Sequence, residues 1–425
     1  MSYTERSDCR LCGGGLERVL DLGVSPLANA LVKKEWLIAQ EMRAERVLAE
    51  PLREFTAPLY LSRCLTCGHV QLPVVVDPKL LFPADYPYAS ATGEATRAHL
   101  RTMAEDLTFG MDEGALAVEI GSNDGYLLSC MRDRVRAVGV DPAANLGREA
   151  TERGDLTVAA MFTPKIATAI RNACGPADLI VANNVFAHAD DLNEIVEGVK
   201  VLLAPEGQFV FEVGWLADVV RANNWPALYH EHLSVHSVAP LHAFFRRHGL
   251  ILYEAWPIDT QGGSLRCYVW RPDGKAPSPE ATMQMEEIAR IESRWCNQAE
   301  LAAWQSRVTR SAEIFAMGMR GLKTKFPNTT IAGYGCSAKS TTLLHVAGIG
   351  RETIDFICDS NPLKQGKFSP GKHIPIVHPD ELEKRQPDVC VSLSGNFSEA
   401  FRARHPGFRG EWIEPQLNPS GEVAA

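Results

Sequence analysis

The sequence has no long hydrophobic run and no excess of basic residues. Its longest apolar stretches, Ala115–Ile120 and Leu179–Ala182, are far shorter than the ~20 residues that a membrane-spanning helix needs. The N-terminal segment MSYTERSDCR is polar and charged, and no apolar signal-peptide core follows it. Lysine and arginine (43) are outnumbered by aspartate and glutamate (52), so the net charge is −9. We therefore expect a cytoplasmic protein that binds neither membrane nor nucleic acid.

Length and composition indicate a folded protein of several domains. The chain has 425 residues, of which 45% are hydrophobic and 22% charged, close to the average for soluble globular proteins. This composition excludes a wholly disordered or collagen-like chain, and the length predicts two to three domains.

Four of the 11 cysteines form two CxxC pairs, Cys9/Cys12 and Cys64/Cys67, and a glycine follows each pair. Disulfides are rare in the cytosol, whereas two such pairs supply the four thiolates of a structural zinc site. The pairs are separated by roughly 50 residues, against roughly 15–20 in common zinc ribbons. Four unrelated thiols are the alternative, and the other seven cysteines are expected to pack in cores.

Apolar strands alternate with helices from residue 115 onward, which predicts an α/β fold with a parallel sheet and an antiparallel edge. The predicted strands are Ala115–Ile120, Ala137–Val140, Leu179–Ala182, Gln208–Val213, Ile251–Trp256 and Ser264–Trp270. A smaller α/β unit follows, with strands at Thr329–Ala332, Ile354–Cys358 and Asp388–Leu393 and a helix at Ala338–Val346. We predict a zinc module at residues 1–85, a central Rossmann-like domain at 86–272 and a smaller Rossmann-like domain at 273–425.

The first glycine loop, VEIGSNDG, follows a strand and opens a helix. It lacks the GxGxxG pattern of dinucleotide-binding proteins, because Asn123 and Tyr126 stand at its second and third glycine positions. Asp141 lies 20 residues after Gly121, the ~20-residue spacing of an acid that binds ribose hydroxyls. A Pro-x-Gly turn also precedes the strand Gln208–Val213, at residues 204–207. Together these features resemble class I S-adenosylmethionine (SAM) methyltransferases. A glycine turn without a ligand is the alternative.

Polar residues also follow two buried strands, namely Asn183, Asn184 and His188 after one and Glu212 at the end of the next. Carboxyl ends of strands are where open α/β sheets bind ligands. Helix capping by the asparagines and a surface histidine form the alternative.

A histidine-rich segment, YHEHLSVH, begins at Tyr229. It is not a metalloprotease HExxH motif, because Ser234 occupies the position of the second histidine. Three interpretations remain: a metal site that uses His230 and His232, acid–base catalysis, or a solvated turn. In the catalytic interpretation, Glu231 or a nearby acid orients the base and Tyr229 donates to a developing oxyanion.

The ordered set of motifs resembles the nucleotide-sugar C-methyltransferases, which methylate C-3 of TDP-4-keto-deoxysugars. The two CxxC pairs, VEIGSNDGYLL, ANNVFAH, YHEHLSVHS, GGSLRCYV and GYGCSAKSTTLL occur in that order over essentially the whole chain. The resemblance implies SAM as cofactor, structural zinc and His232 as general base, with Tyr229 and Glu231 as its neighbours around the sugar. It places Asn184 and His188 between cofactor and substrate. It also implies cofactor contacts from Glu119, Gly121, Ser122, Asn123, Asp124, Gly125, Tyr126, Leu127, Asp141, Pro142, Asn183 and Ser90.

The chain departs from the family pattern at two places. The family's Tyr-x-Ser-Ser loop reads Tyr88-Ala-Ser90-Ala91 here, and either Tyr86 or Tyr88 is its functional tyrosine. Gly395 replaces the tryptophan that often precedes the Asn396-Phe397 pair.

The second glycine loop, GYGCSAKS, misses the Walker A pattern because Ala338 replaces its last glycine. A strand–loop–helix start still binds phosphates through free amides, so we expect this domain to hold the nucleotide, TDP or else GDP. The expected contacts are Tyr334, Gly335, Ser337, Ala338, Lys339, Ser340, Asp359, Lys367, His373 and Asn396.

Two other functions are compatible with the same motifs. One is methylation of oxygen or nitrogen on a sugar or another small molecule. The other is a zinc-ribbon nucleic-acid binder with a methyltransferase domain, which the net charge disfavours.

Overall fold

The N-terminal part of the chain forms two small antiparallel sheets. The computed structural model describes residues 2–44, 54–82, 93–260, 262–273, 276–395 and 398–418. Strand β1 pairs with β5, and β2, β3 and β4 form three strands of a second sheet. The elements of this part are β1 (Tyr3–Glu5), β2 (Leu16–Pro26), α1 (Lys34–Ala44), β3 (Thr56–Cys64), β4 (Val70–Gln71), β5 (Val74–Val76) and α2 (Pro78–Leu81).

The central part is a seven-stranded sheet covered by helices. Its elements are α3 (Glu94–Thr108), β6 (Leu116–Ile120), α4 (Tyr126–Met131), β7 (Arg136–Val140), α5 (Ala144–Glu152), β8 (Thr157–Val158), α6 (Pro164–Cys174), β9 (Ala177–Asn183), α7 (Leu192–Leu202), β10 (Leu203–Gly214), α8 (Leu216–Arg221), β11 (Ser234–Val235), α9 (Val238–Arg247), β12 (Ile251–Ile258) and β13 (Ser264–Trp270). All of these strands except β11 belong to the sheet, in the order β12-β13-β10-β9-β6-β7-β8. Strand β13 runs antiparallel to both neighbours, and the other pairs are parallel.

This arrangement confirms the predicted parallel sheet with an antiparallel edge, and all six predicted strands are present. One detail differs. The turn expected at residues 204–207 lies within β10, where the pairing with β9 shifts register between Leu203 and Gln208.

The C-terminal part begins with two long helices and continues as a five-stranded parallel sheet. Its elements are α10 (Pro279–Trp295), α11 (Gln298–Lys325), β14 (Ile331–Tyr334), α12 (Ala338–Val346), β15 (Phe356–Cys358), β16 (Ile376–Val377), α13 (Glu381–Arg385), β17 (Val389–Ser392), α14 (Ser398–Arg404) and β18 (Glu411–Ile413). The strand order is β16-β15-β14-β17-β18. Ser278 and Asn297 cap the two long helices by accepting hydrogen bonds from Ala281 N and Glu300 N, as favoured N-cap residues do. In the part of the chain that the structure describes, no helix is long and apolar enough to cross a membrane.

The three parts share a sheet and a core. Strand β11 from the central part pairs with β4 and completes the second N-terminal sheet, with Ser234 opposite Gln71. One buried cluster joins Leu61 of β3, Trp304 of α11 and Ile331 of β14. The proposed division into domains at 1–85, 86–272 and 273–425 therefore concerns units that pack tightly together.

Candidate active site and zinc site

The two CxxC pairs come together in the structure. All four sulfurs lie within 4.8 Å of one another, with Cys9 Sγ 3.7 Å from Cys67 Sγ and Cys12 Sγ 3.4 Å from Cys64 Sγ. Tetrahedral zinc with Zn–S bonds of about 2.3 Å holds its sulfurs about 3.8 Å apart. The Gly14 N–H also points at Cys12 Sγ, at 3.4 Å, and such donors favour a thiolate. The cluster fits a structural zinc ion.

A cavity of about 1620 Å³ connects the central and C-terminal parts. It runs from the loop after β6, past the histidine-rich segment, to the first turn of α12. Pockets for one drug-sized ligand measure about 300–1,000 Å³. This cavity therefore has room for more than one ligand.

The first glycine loop forms one end of the cavity. Gly121 has a φ of +70°, and a Cβ there would lie 2.3 Å from Val185 Cγ2, so only glycine fits. Asn123 N donates to Asp141 Oδ2 at 2.8 Å, while Ala143 N donates to Asp141 Oδ1 at 2.7 Å. Asp141 thus holds the loop after β6 against the loop after β7. Burial raises the pKa of this carboxyl above its usual value.

Several buried polar atoms in this end of the cavity have no hydrogen-bond partner among the described residues. They are Glu119 Oε2, Ser122 Oγ and Asn183 Oδ1. Burial also raises the pKa of Glu119 well above its usual range. Because buried polar groups are normally paired, these atoms fit a polar ligand such as SAM.

Ten of the residues predicted to contact the cofactor line this cavity. They are Glu119, Gly121, Ser122, Asn123, Asp124, Tyr126, Leu127, Asp141, Pro142 and Asn183. Gly125 does not line it. A Cβ on Gly125 would lie 2.8 Å from Ala150 Cβ, so this glycine allows close packing of the loop against α5.

His188 and His232 face each other in the middle of the cavity, with ring centroids 5.0 Å apart. His232 Nδ1 lies 2.8 Å from the carbonyl oxygen of Ala227. A carbonyl only accepts, so Nδ1 carries the proton and Nε2 is left as the hydrogen-bond acceptor of the ring. Burial lowers the pKa of His232 to about 3 and that of His188 to about 4. Both rings are therefore neutral at physiological pH.

Tyr229 and Glu231 also line the cavity. The Tyr229 hydroxyl lies 2.8 Å from His232 Nε2, so it donates to that nitrogen. We expected Glu231 or another acid to orient His232, but the orienting group is the Ala227 carbonyl. Glu231 Oε1 instead accepts from Asn29 Nδ2 at 2.7 Å. Asn29 lines the cavity too, and no local pattern indicated it, because it contacts a residue that is distant in the chain.

The remaining histidines of this segment have structural positions. His230 is buried and its Nε2 lies 3.2 Å from the carbonyl of Pro58. His236 stacks on His69 with centroids 5.4 Å apart. Among the described residues, only the four cysteines form a group that could hold a metal ion. The structure therefore gives no support to a metal site at His230 and His232.

The polar residues after β9 and β10 do meet at the carboxyl edge of the sheet, as expected. Asn184 has a φ of +54° and donates its N–H to the Glu212 carbonyl at 2.8 Å. The Glu212 carboxylate contacts His99 Nε2 and Arg266 Nε, both at 2.8 Å. His99 lines the cavity from α3 and was not predicted, since an isolated histidine on a helix is no signal by itself.

The first turn of α12 forms the other end of the cavity. Ser337, Ala338 and Lys339 line it, and so does Lys364. Burial lowers the pKa of Lys339 to about 8. Lys364 Nζ donates to the carbonyl of Cys336 at 2.8 Å and lies 3.7 Å from Asp359 Oδ2.

The other residues predicted to contact the nucleotide do not line the cavity, or are not described. Tyr334 is buried with its hydroxyl 2.8 Å from His405 Nε2. His373 contacts Glu54 and lies edge-on to Trp36, so it joins the N- and C-terminal parts. The structure therefore brings neither side chain to the cavity. Gly335, Ser340, Asp359 and Lys367 also lie outside the cavity lining. Tyr86, Tyr88, Ser90 and Asn396 fall outside the described residues.

Asp359 nevertheless repeats the geometry of Asp141. Its Oδ2 accepts from Cys336 N at 2.8 Å and its Oδ1 from Asn361 N at 2.8 Å. The loop after β14 is thus held as the loop after β6 is held, although the two sequences differ.

Three family models cover most of the chain. They are described as a zinc binding domain, matching residues 9–82, a methyltransferase domain, matching 97–255, and a C-methyltransferase C-terminal domain, matching 259–415. C-methyltransferase NovU of Streptomyces niveus is 32% identical over 397 residues, which cover 92% of this chain and 90% of that protein. This chain belongs to the C-methyltransferase family. The C-methyltransferase uses SAM as its cofactor and carries a structural zinc.

Two solved methyltransferase structures match the C-methyltransferase over 42% of its length. N-methyltransferase NodS from Bradyrhizobium japonicum is 16% identical, with a TM-score of 0.33, and covers 42% of this chain and 98% of that one. A chain from the complex between the Haloferax volcanii Trm112 methyltransferase activator and a methyltransferase is 19% identical, with a TM-score of 0.32. This match covers 42% of the present chain and 96% of the other.

Proposed function

We propose that the C-methyltransferase methylates a nucleotide-linked 4-keto-deoxysugar at C-3, the carbon beside the ketone. The observation that carries this proposal is the single cavity with three chemically distinct zones. The glycine loop with Asp141 lies at one end, His188 and His232 lie in the middle, and Lys339 lies at the other end. A cofactor, a sugar and a nucleotide diphosphate placed in that order match these zones.

The diphosphate belongs at the end formed by α12. Lys339 and Lys364 contribute positive charge there, whereas the cofactor end contains Glu119 and Asp141. The start of α12 adds the positive end of a helix dipole. We therefore place the phosphates near Lys339 and the sugar between Lys339 and the histidines. TDP is our first candidate and GDP our second.

His232 is the proposed general base. A hydrogen beside a ketone is acidic because the resulting carbanion delocalises onto oxygen as an enolate. The Ala227 carbonyl holds the His232 proton on Nδ1, so Nε2 accepts the proton that leaves C-3. Negative charge developing on the ketone oxygen raises the pKa of the nearby imidazole, which offsets the effect of burial.

Tyr229 and His188 are the proposed donors and positioners around the ketone. When the substrate presents its C–H to His232 Nε2, the Tyr229 hydroxyl loses that acceptor and becomes available to the ketone oxygen. A preorganised donor of this kind stabilises the enolate. His188 packs against His232 and limits where the sugar ring lies. Bound SAM supplies the electrophilic methyl group that the sugar carbon receives.

The test is turnover with SAM and a panel of TDP- and GDP-linked 4-keto-deoxysugars, read by mass spectrometry. We expect one methylated nucleotide-sugar, with the new methyl on carbon by NMR. Without SAM, incubation in deuterated water should exchange the hydrogen at C-3. Methyl transfer to oxygen or nitrogen without such exchange would reject the enolate mechanism, and no product from any panel member would reject the substrate class.

A further inference from the structure

Arg10 lies inside the first CxxC pair, between Cys9 and Cys12, and its side chain is fully buried at 0% exposure. Arginine is rarely buried unless it is paired. Its backbone N–H donates to Gln71 Oε1 at 2.8 Å, which connects the first zinc-binding turn to β4. The interior position of this guanidinium requires an explanation beyond zinc binding, because zinc needs only the sulfurs.

The guanidinium of Arg10 reaches the two loops that carry the central histidines. Its Nη1 donates to the carbonyls of Leu72 at 2.7 Å and Leu233 at 3.2 Å. Its Nε donates to Asp190 Oδ1 at 2.9 Å. Leu233 directly follows His232, and Asp190 lies two residues after His188. One side chain therefore contacts both loops.

Backbone hydrogen bonds join the same two loops around this contact. Leu72 N donates to the Leu233 carbonyl at 2.9 Å, and Ser234 N donates to the Ala187 carbonyl at 3.1 Å. The Leu233 carbonyl thus accepts from both Leu72 and Arg10. The chain that follows His232 is therefore held both to the zinc module, through Leu72 and Arg10, and to the loop after β9, through Ala187.

We propose that Arg10 is a positioning residue that couples the zinc-binding turn to the loops carrying His188 and His232. This inference rests on the proposed role of His232 as the base. A shift of the base by about 1 Å costs on the order of 100-fold in rate. A rigid, zinc-anchored guanidinium that fixes both loops would prevent such a shift.

The chemistry of arginine suits this role better than that of lysine. A planar guanidinium offers five N–H donors in a fixed fork, so it serves two carbonyls and a carboxylate at once. A lysine ammonium on a flexible stem retains the charge facing Asp190 but not the fixed geometry. Arg10→Lys is therefore the informative conservative variant.

The test compares Arg10→Lys and Arg10→Met with Arg6→Met. Arg6 Nη1 also contacts Asp190 Oδ1, at 3.3 Å, but the Arg6 side chain is 27% exposed and its second partner is Asp8. We expect kcat to fall on the order of 10–100-fold in both Arg10 variants. The KM for SAM should stay within about twofold because the Gly121 loop is held separately by Asp141. Added guanidinium ion should restore part of the kcat of Arg10→Met.

Hydrogen–deuterium exchange gives a second readout that needs no sugar substrate. Peptides covering residues 228–236 should exchange faster in both Arg10 variants and as in the wild type in Arg6→Met, with zinc content unchanged in all three. Wild-type kcat in zinc-loaded Arg10→Lys, or unchanged exchange at 228–236, would overturn the proposal. If no sugar is methylated even by the wild type, the proposed function fails, and the exchange result still decides the role of Arg10. If Arg10→Met does not fold, Arg10→Lys carries the test.

Discussion

The hydroxyl oxygen of Tyr229 lies 2.8 Å from Nε2 of His232, so the proposed base is hydrogen-bonded before any substrate enters. In this pairing the lone pair of Nε2 accepts the Tyr229 hydroxyl hydrogen until a substrate takes its place. The pairing also places a donor within reach of the position where the ketone oxygen would lie.

Removal of this hydroxyl in Tyr229→Phe should lower kcat by on the order of 100-fold, because one oxyanion donor is lost. The KM for SAM should be unchanged. Steady-state kinetics with the methylated sugar as readout measures both. Tyr253→Phe is the matched control, since its hydroxyl lies 3.4 Å from the Pro272 carbonyl, outside the cavity lining. Equal kcat in the two variants would remove Tyr229 from the mechanism.

His232→Ala should lose both methyl transfer and the exchange of the C-3 hydrogen, by on the order of 100- to 10,000-fold. SAM affinity, measured by calorimetry, should stay within about twofold of wild type because the cofactor end of the cavity is unaffected. The exposed His378 provides the control variant His378→Ala. Retained hydrogen exchange in His232→Ala would assign the base to another group.

Lys339→Met should raise the KM for the nucleotide-sugar by on the order of 10–100-fold, because a charge-assisted contact to phosphate is lost. Lys367→Met is the matched control, since Lys367 lies outside the cavity lining. SAM affinity should not change in either variant. If Lys367→Met has the larger effect, the diphosphate lies elsewhere.

The pH dependence of kcat/KM should report the ionisation of Lys339. Burial lowers the pKa of Lys339 to about 8, so the ammonium loses its charge as the pH rises through 8. We expect kcat/KM for the anionic substrate to fall above that pH and the step to vanish in Lys339→Met. On the acid side, the pKa of about 3 for His232 keeps the ring neutral, so that residue should cause no loss of activity between about pH 5 and 7.

Loss of zinc should destabilise the whole enzyme. Cys67→Ser removes a ligand, and we expect zinc content to fall from about one to near zero per chain and Tm to drop by about 5–10 °C. Cys130→Ser is the control, because Cys130 is a partly buried cysteine outside the cluster. Metal analysis and differential scanning calorimetry give the two readouts. Zinc retained at full occupancy in Cys67→Ser would show that three sulfurs suffice.

The local patterns in the sequence predicted the elements and most of one end of the cavity. Strands β6, β7 and β9 follow from short apolar runs, and the positions of Asp141 and Asn184 follow because parallel strands end at one edge. The four cysteines also come together, as the two CxxC pairs predicted.

Long-range contacts could not be predicted from the sequence. The sequence around His373 predicts a cationic residue in an exposed loop. In the structure its ring Nε2 instead donates a hydrogen bond to the carboxylate of the distant Glu54. Asn29 reads as an ordinary loop residue, yet it reaches Glu231 across the fold. Nothing in a single sequence specifies which distant segments meet, because that depends on the packing of whole domains.

The pairing of β11 with β4 has a consequence for synthesis on the ribosome. Gln71 of β4 leaves the ribosome well before its partner Ser234 of β11, roughly 160 residues later, which takes about 8–30 s at translation rates of 5–20 residues per second. During that interval β4 lacks this edge partner, and the Leu72 amide lacks the Leu233 carbonyl. The nascent N-terminal part is therefore incomplete until most of the central part has emerged, and an isolated N-terminal fragment should expose an aggregation-prone strand edge.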